Sequence, residues 1–446
     1  MELIRGISGI RGIVGQTLTE PILSQYIQAF ATIQGNGPIL IARDSRSHGE
    51  VLLNVGCQTL QKYGRKVQNY GIIPTPTAQF LVEKNSLAGG VVITASHNPK
   101  EWNGLKFIDY DGSFLSKEKN LDLFNIADDD QFQQEKPGKI HVIESGFLPH
   151  IEHTCNLSII NSKLIESRKF IAVIDAVNGA ASLALPEMLE ALGCTVHRLF
   201  CEPDGEFQRG TEPLPHNLNN LCDSVIRHKA DVGFATDPDG DRLAVVDENG
   251  RPLGEEYTLT ICADGFLSST SSTAPIVTNL STTMAIDRVA EKYGSSVIRS
   301  AVGEINVVNR MKEVGALFGG EGNGGVILSD SHYGRDSLVG AALFLNRMSL
   351  ENKKVSEIFQ SMPQYIMVKD KVTLGNIIPD KAINSLEETF TDAKCDKTDG
   401  IKLTWGNAWI HIRKSNTEPI IRIYAEAATR IKVERLIYKV KNILVQ

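Results

Sequence analysis

Several α/β domains followed by a smaller α+β domain are what this sequence predicts, on three observations. Short apolar, β-branched runs alternate with helix-length stretches through most of the chain. At least two of these runs end in an aspartate and pass through a turn into a helix, the mark of a repeated module. From about residue 364 strand-like runs follow one another directly with helices at the margins, as in an antiparallel sheet. At 446 residues the chain is too long for one core, and typical sizes suggest roughly three or four domains.

The first unit is expected over residues 1–150. Residues 39–44 read as a strand closed by Asp44, 50–63 as its helix, 67–70 as a strand and 77–84 as a helix. Gly89-Gly90-Val91-Val92-Ile93 is a buried strand bounded by glycines, and 105–109 another. Residues 127–150, polar and acidic and then Pro/Gly-containing, read as a weakly structured connection. The second unit, 151–253, opens on a strand at 170–175 that ends in Asp175, followed by Gly179 and a helix to Leu192. A strand at 195–200 and a helix near 218–228 lead to strands 232–235 and 243–246 around an acidic loop, closed by a turn at 248–251. The third unit, 254–364, holds a helix, a strand at 276–280, a helix from Thr283 and a glycine-rich segment at 319–325; the run 276–281 reads as a third module copy without the acid. In the last unit, 365–446, residues 365–374, 401–405, 409–413 and 420–425 alternate like strands, with helices near 382–390 and 432–443.

Composition narrows the function. A formal charge of −7 and a pI near 5.9 argue against nucleic acid as a partner. The first 15 residues are apolar but interrupted by Arg5 and Arg11, so they are neither a signal peptide nor a spanning helix, and no membrane partner is expected. Seven scattered cysteines, without close metal-like pairs, suit reduced thiols in a cytoplasmic protein and leave any metal site to oxygen ligands.

Two loops carry chemistry. Ser96, in Thr94-Ala95-Ser96-His97-Asn98-Pro99, sits where a strand's carboxyl end opens into a loop, the place where open α/β sheets bind ligands. Its neighbours are small, His97 offers an imidazole and Pro99 stiffens the far side, so Ser96 reads as a nucleophile or a phosphate carrier; a plain strand-to-turn exit has the same composition. In Asp237-Pro238-Asp239-Gly240-Asp241-Arg242, three carboxylates at alternate positions converge in one turn. A hard divalent cation would relieve their repulsion, and Mg²⁺ is the expected one where a phosphate adds an oxygen. Glu248 falls where a helix-loop-helix calcium loop ends, but Arg242 stands where such a loop requires glycine, and strands flank it. A solvated acidic turn is the remaining bland reading.

T-A-S-H-N-P at 94–99, D-P-D-G-D-R at 237–242 and R-K-S-N-T-E-P-I-I-R at 413–422 stand in the order and approximate separations of the α-D-phosphohexomutases, the phosphoglucomutase/phosphomannomutase/phosphoglucosamine mutase family. G-I-S-G-I-R-G at 6–12 and N-G-L-K at 103–106 also resemble theirs, so the likeness covers essentially the whole chain. It implies three similar mixed α/β domains plus a C-terminal α+β domain with an antiparallel sheet, heart-shaped around one central cleft. It implies that Ser96 carries the phosphate and that Asp237, Asp239 and Asp241, with the Ser96 phosphate, hold Mg²⁺. Arg242, Arg11, Ser8 and His97 become further donors of the cleft, although an N-terminal structural turn explains Ser8 and Arg11 as well.

Residues 413–422 read as a phosphate clamp: Arg413 and Arg422 supply planar forks, Ser415, Asn416 and Thr417 short donors, and Glu418-Pro419 the turn. A polar hairpin with surface arginines is the alternative. Residues 319–325 resemble the family's sugar-recognition loop, with Glu321 and Asn323 facing ring hydroxyls. The family's usual loop ends in histidine where this chain has Gly325, so the general acid/base passes to Lys106, with a pKa lowered by neighbouring cations, to His97 or to Glu321. His332 does not match by position and is expected on the surface. Residues 303–306 resemble another loop of the third domain, and Arg335-Asp336-Ser337 opens a helix that either faces the cleft or is simply capped by Asp336.

The expected activity is Mg²⁺-dependent transfer of phosphate between O6 and O1 of a hexose through phosphorylated Ser96 and a hexose 1,6-bisphosphate, the latter also an activator. Glucosamine 6-phosphate to glucosamine 1-phosphate is favoured, with glucose or mannose phosphates the first alternative. The partner is a small sugar phosphate, and the protein a monomer or homodimer. A phosphatase losing the same phosphoserine to water, and a non-catalytic sugar-phosphate sensor, are the rivals.

Overall fold

The computed structural model describes residues 2–129, 136–373, 385–415 and 420–445. Its first sheet contains β1 (Ile4–Gly6), β2 (Gly9–Ile13), β3 (Ile39–Arg43), β4 (Val67–Ile72), β5 (Gly89–Ile93), β6 (Trp102–Ile108) and β7 (Ile140–Val142), in the order β1-β2-β6-β5-β3-β4-β7. The second holds β8 (Ile171–Asp175), β9 (Thr195–Leu199), β10 (Val232–Thr236) and β11 (Leu243–Asp247), ordered β11-β10-β8-β9. The third holds β12 (Ile276–Asn279), β13 (Val297–Ser300), β14 (Phe318–Glu321) and β15 (Gly325–Leu328), ordered β13-β12-β14-β15. The fourth, antiparallel throughout, runs β16 (Ile366–Thr373), β20 (Ile420–Ala427), β19 (Ala408–Lys414), β18 (Ile401–Trp405), β17 (Lys394–Asp396).

The repeated module is real in three dimensions. In β3 to β6, β8 to β11 and β12 to β15 alike, the first strand lies between the second and third, parallel to both, and the fourth returns antiparallel to the third. The end of each first strand turns in the same way. Asp44, Asp175 and Asn279 accept from the backbone N–H two residues on, Arg46, Val177 and Ser281, at 3.0, 3.0 and 2.9 Å. The third copy, which has no acid in its sequence, keeps the acceptor as the Asn279 carboxamide, because the turn needs an oxygen and not a charge.

Strands β5, β10 and β11 are buried along their whole length, as expected for strands covered on both faces. One apolar core runs without a break through the first three sheets, including Phe80, Phe234 and Phe344, and the helix Ser337–Glu351 is buried from Ser337 to Ser349 within it. The fourth sheet has a separate core, with Ile410, Ile423 and Val433. It docks on the third sheet's domain through buried polar groups. Glu426 accepts from Met284 N and Trp409 Nε1, both at 2.7 Å, and from Thr283; Lys402 Nζ donates to the Leu280 carbonyl at 2.6 Å. The His411 ring bonds Ser281 Oγ at 2.8 Å and the Asp399 carbonyl at 2.7 Å.

Three expectations need correction. The connection at 127–150 is more ordered than its composition implies: Lys117–Asp129 is a helix, β7 adds to the sheet beside β4, and the helix Leu148–Cys155 follows. Half-exposed Ile140 with exposed His141 and Val142 gives such an edge strand no periodic signature. The helix expected from Gly179 is a 3-10 turn, Ala180–Ser182, and then a helix, Ala184–Ala191. Residues 303–306 are not a loop, since Glu304 begins the helix Glu304–Val314. Among the described residues no helix is long and apolar enough to cross a membrane, and all seven cysteines are unpaired.

Burial pulls the His411 imidazole down to about 4, with Lys402 and Arg413 adding to the effect. A group depressed on folding contributes stability above its unfolded pKa, near 6.5, that is lost as pH falls through the folded value. Docking of the fourth domain should therefore weaken between about pH 6.5 and 4. Calorimetry should resolve an additional low-temperature transition in that range, absent or reduced in His411→Gln.

Candidate active site

Three loops meet, and they occupy the same slot in the three modules, between the third strand and the antiparallel fourth. They follow β5 (Ser96), β10 (the three aspartates) and β14 (Asn323). Ser96 has φ +50, a left-handed conformation unusual for a residue with a Cβ, and is only 2% exposed. Such a backbone persists when its surroundings over-determine it. Arg46, unremarked in the sequence, does that here: ion-paired with Asp44, it donates to the carbonyls of Ser96 at 2.8 Å, Asn98 at 2.7 Å and Trp102 at 3.0 Å, and to that of Pro99. Ser96 N also donates to Thr94 Oγ1 at 2.9 Å.

The aspartate loop is held from every side. Thr75, opening a helix of the first domain, donates its N–H to the Asp239 carbonyl at 2.9 Å and its hydroxyl to Asp239 Oδ2 at 2.7 Å. Ala180 N bonds the Pro238 carbonyl and Ser337 Oγ the Gly240 carbonyl, both at 2.7 Å. Gly240 takes φ +73, and a side chain there would press on Pro74 and Ala181. Arg209 secures the strand ends behind the loop, bonding Asp175 Oδ2 at 2.7 Å and the Thr236 carbonyl at 2.5 Å.

Ser96 Oγ lies 3.5 Å from Asp237 Oδ2 and 3.4 Å from His97 Nδ1. The ligand atoms of Asp237, Asp239 and Asp241 lie within 4.8 Å of one another, all fully buried. Lys106, on β6, reaches Asp239 Oδ2 at 2.5 Å and Asp241 Oδ2 at 3.3 Å. Arg242 stands 3.8 Å from Asp237 and 3.9 Å from Asp241, and bonds Glu212 at 3.2 Å and His97 Nδ1 at 3.1 Å. Arg11, on β2, donates to Asn98 Oδ1 at 2.9 Å, with its guanidinium in the field of Asp239 and Asp241.

These charges set the protonation states. Burial and the two neighbouring carboxylates push Asp237 well above the usual range. Asp239 goes the other way: burial raises it, but Lys106, Thr75 and Arg335 more than offset that. Lys106 corrects the expectation of a lysine lowered by cations. Burial alone would lower it, yet its contacts are carboxylates, which raise it overall. Burial, then Arg242 and Arg11, hold His97 well below its ordinary value, so the ring is neutral and accepts from Arg242 at Nδ1.

Asp239 Oδ1 and Asp241 Oδ1 are buried without a hydrogen-bond partner within the protein. Two carboxylate oxygens in that condition, beside the oxygens of Asp237 and Ser96, fit a hard cation with oxygen ligands. The set is therefore chemically suited to a divalent metal.

Arg335, two residues before the helix Ser337–Glu351, connects this centre to the glycine-rich loop. It bonds Asp241 at 2.6 Å, Glu304 at 2.9 Å and Glu321 at 2.9 Å. Glu321 also accepts from Asn279 Nδ2 at 2.7 Å and Gly303 N at 3.0 Å. Asn323 turns its carbonyl oxygen onto Gly325 N at 3.2 Å, with its amide 3.5 Å from Glu321. A Cβ at Gly325 would lie 2.3 Å from Arg335 Cδ, so the arginine stem fills the space a larger residue would need. Asp336 caps the helix, as one reading had it, but His332 is buried, correcting the surface expectation.

Arg413 and Arg422 face each other across β19 and β20. Arg413, 9% exposed, bonds Asp399 at 2.9 Å, and Asp399 in turn accepts from Val302 N at 3.1 Å, next to the Gly303 N–H that holds Glu321. Arg422 lies beside Ser415 Oγ at 3.5 Å and Tyr424 OH at 3.3 Å. Arg413 is thus linked, through Asp399, to the segment that holds Glu321. Asn416, Thr417 and the Glu418-Pro419 turn fall outside the described residues. Ser8 sits half-buried at the tip of the β1–β2 hairpin, one residue before Gly9, which pairs with Lys106.

Family models for phosphoglucomutase/phosphomannomutase match in four consecutive pieces: alpha/beta/alpha domain I at residues 2–134, domain II at 146–250, domain III at 255–365 and the C-terminal domain at 370–443. The chain belongs to the phosphoglucomutase/phosphomannomutase family. A phosphoglucomutase/phosphomannomutase from Thermococcus kodakarensis is 34% identical, over 97% of this chain and 96% of the relative. A probable phosphoglucosamine mutase from Methanopyrus kandleri is 32% identical over 97% of this chain and 95% of its own. A solved phosphoglucomutase/phosphomannomutase family protein from Burkholderia thailandensis superposes with a TM-score of 0.88 at 25% identity, covering 99% of this chain and 96% of that one. Mixed sheets in three domains and an antiparallel sheet in the last are the architecture of this family.

The packing of Gly325 against Arg335 is testable. Gly325→Ala should displace Arg335 and reduce catalytic turnover by roughly tenfold or more, while the same change in an Arg335→Ala background should add little further loss. A double-mutant cycle on activity and thermal unfolding measures the coupling.

Proposed function

We propose that this chain is a Mg²⁺-dependent phosphohexomutase that moves phosphate between O6 and O1 of a hexose, with Ser96 as the phosphate carrier. Units at 1–150, 151–253, 254–364 and 365–446 would supply the carrier, the metal ligands, the sugar loop and the phosphate clamp. The observation that carries the reading is the 3.5 Å approach of Ser96 Oγ to a buried carboxylate trio with two unpartnered oxygens. Asp237, Asp239, Asp241 and the Ser96 phosphate would hold Mg²⁺, which when bound would withdraw charge from the phosphoryl group.

In the forward direction the free O1 of a hexose 6-phosphate attacks phosphorus on Ser96. The new O–P bond forms as the P–Oγ bond breaks, giving a 1,6-bisphosphate and the serine oxygen. Lys106, a cation held by Asp239 and Asp241, gives a proton to Ser96 Oγ as the P–Oγ bond breaks and takes up the one the sugar hydroxyl loses. His97, neutral and accepting at Nδ1, presents its other ring N–H as a donor, and Arg242 and Arg11 add positive charge for the phosphoryl oxygens. The bisphosphate then turns, so that its 6-phosphate returns to Ser96 and the hexose 1-phosphate leaves. Arg413, Ser415, Asn416, Thr417 and Arg422 would grip the phosphate that is not reacting, and Ser8, Glu321 and Asn323 the sugar. Turning explains why one clamp and one sugar loop serve both orientations. Glucosamine phosphates are the preferred substrates in this reading, because Glu321 offers acceptors to an amine; glucose and mannose phosphates are the alternative. The names of the relatives divide in the same way, toward phosphoglucosamine mutase and toward phosphoglucomutase/phosphomannomutase.

A coupled isomerisation assay over glucosamine, glucose and mannose 6-phosphates, with hexose 1,6-bisphosphate as activator, should show turnover that chelation abolishes and Mg²⁺ restores. Ser96→Ala should be inactive and lack the added phosphate in intact mass. Release of inorganic phosphate without isomer would instead make the protein a phosphatase, and a Ser96 that never takes up phosphate would leave a sensor. Lys106→Ala should lose on the order of 10²- to 10⁴-fold in kcat. Lys106→Arg keeps the charge but does not give up a proton, so recovery of activity in that variant would assign Lys106 an electrostatic role alone.

A further inference from the structure

Among the described residues a second set of metal-ligating side chains stands apart from the aspartate loop: His150, His332 and Asp336. One ligand atom from each lies within 4.8 Å of the others, and all three residues are buried. They bring together two distant parts of the chain. His150 lies on the helix Leu148–Cys155 that leads from the first sheet to the second, His332 on the turn after β15, and Asp336 at the start of the helix Ser337–Glu351. Asp336 Oδ1 caps that helix, accepting from Leu338 N at 2.8 Å and Val339 N at 3.2 Å. Its Oδ2 stands 3.0 Å from Nε2 of both histidines.

A hydrogen-bonded trio explains only part of this arrangement. Thr77 Oγ1 lies 3.0 Å from His150 Nδ1, and His332 Nε2 bonds Asp336. The other two ring nitrogens, His150 Nε2 and His332 Nδ1, are buried without a hydrogen-bond partner within the protein. His150 Nε2 is the telling one: it comes to 3.0 Å from the carboxylate oxygen, out of line for a hydrogen bond. An N–H aimed at an oxygen aligns with it, whereas nitrogen and oxygen lone pairs converge on a point between them when they share an ion. Ligands about 2.0 Å from a tetrahedral ion are separated by roughly 3.3 Å, close to the spacing here. The outer contacts also suit a metal site: Thr77 sets the His150 ring, and helix N–H groups fix the Asp336 oxygen that faces away.

We propose that His150, His332 and Asp336 bind a late first-row transition ion of the Zn²⁺ type, separate from the aspartate site, fastening the helix Leu148–Cys155 to the start of the helix Ser337–Glu351. Two imidazoles and one carboxylate suit such an ion and not Mg²⁺, which prefers oxygen alone. The neighbours give the ion a purpose. Arg335 and Ser337, on either side of Asp336, are the residues that bond Asp241, Glu321 and the Gly240 carbonyl. The ion would therefore hold in place the turn from which both reach the active site, and act as a structural clip between the second and third domains.

Calorimetric titration of the full-length protein with ZnCl₂, in excess Mg²⁺, should reveal one tight site that persists in Asp237→Asn. His332→Gln, which keeps an amide to donate to Asp336 but is a poor zinc ligand, should weaken it about 100-fold or more, and Zn²⁺ should raise the melting temperature of the wild type but not of this variant. Binding that survives His332→Gln but disappears in Asp237→Asn would put the ion on the aspartates and overturn the proposal, as would no tight binding by the wild type. Should His332→Gln fail to fold, the visible spectrum of the Co²⁺-loaded wild type decides. Intense absorption of a four-coordinate nitrogen-ligated ion supports the site, and the weak bands of a six-coordinate ion refute it.

Discussion

Three carboxylates buried within one turn are the constraint to which the rest of the structure answers. Were all three ionised, with ligand atoms within 4.8 Å of one another, each pair would repel by about 3 kcal/mol or more at an effective dielectric constant near 20, before the cost of taking each out of water. The turn cannot offset this itself. Lys106 comes from the first domain and Arg335 from the third, and Arg242 stands beside the loop. The charge centre therefore exists only when three domains are together, and two carboxylate oxygens remain unpartnered even then. A cation is the simplest completion of a site built in this way.

The three modules explain how the loops find one another. In each, the functional segment fills the gap between the third strand and the antiparallel fourth, at the carboxyl end of a parallel strand. Open α/β sheets bind ligands there because strand ends and helix starts leave backbone groups directed at the crevice. One topological slot used three times yields a buried serine, a turn of three carboxylates and a polar acceptor loop. The shared apolar core behind the first three sheets fixes their relation, whereas the fourth domain, with its own core, is held by Glu426, Lys402, His411 and Asp399. The strands bearing Arg413 and Arg422 are thus joined to the body by a few buried hydrogen bonds.

Much of this was legible beforehand where local pattern and local structure coincide. Strands β3, β5, β8, β10 and β18 stand within about a residue of their expected places, since a continuous apolar run with glycine or acid at its ends specifies a doubly covered strand without outside help. Ser96 and the aspartates stand out in the sequence by the composition of their turns, and the structure brings them within 3.5 Å of one another. Edge strand β7 was hidden, being short and half-exposed. Arg46 was hidden too: nothing nearby in sequence shows that a lone arginine will bind the carbonyls of a loop some 50 residues away.

The sequence by itself determined the module repeat, the serine loop, the oxygen-only acidic turn and the change to an antiparallel C-terminal domain, because each is written in contiguous residues whose period or spacing is local. The tertiary structure decided what those residues become electrically. It turned Lys106 from a lowered base into a raised cation, filled the space at Gly325 with Arg335, and took His332 from the expected surface into a buried cluster with His150 and Asp336. Protonation and steric room depend on what arrives from elsewhere in the chain within a few ångströms, and that distance is set only when the domains close on one another.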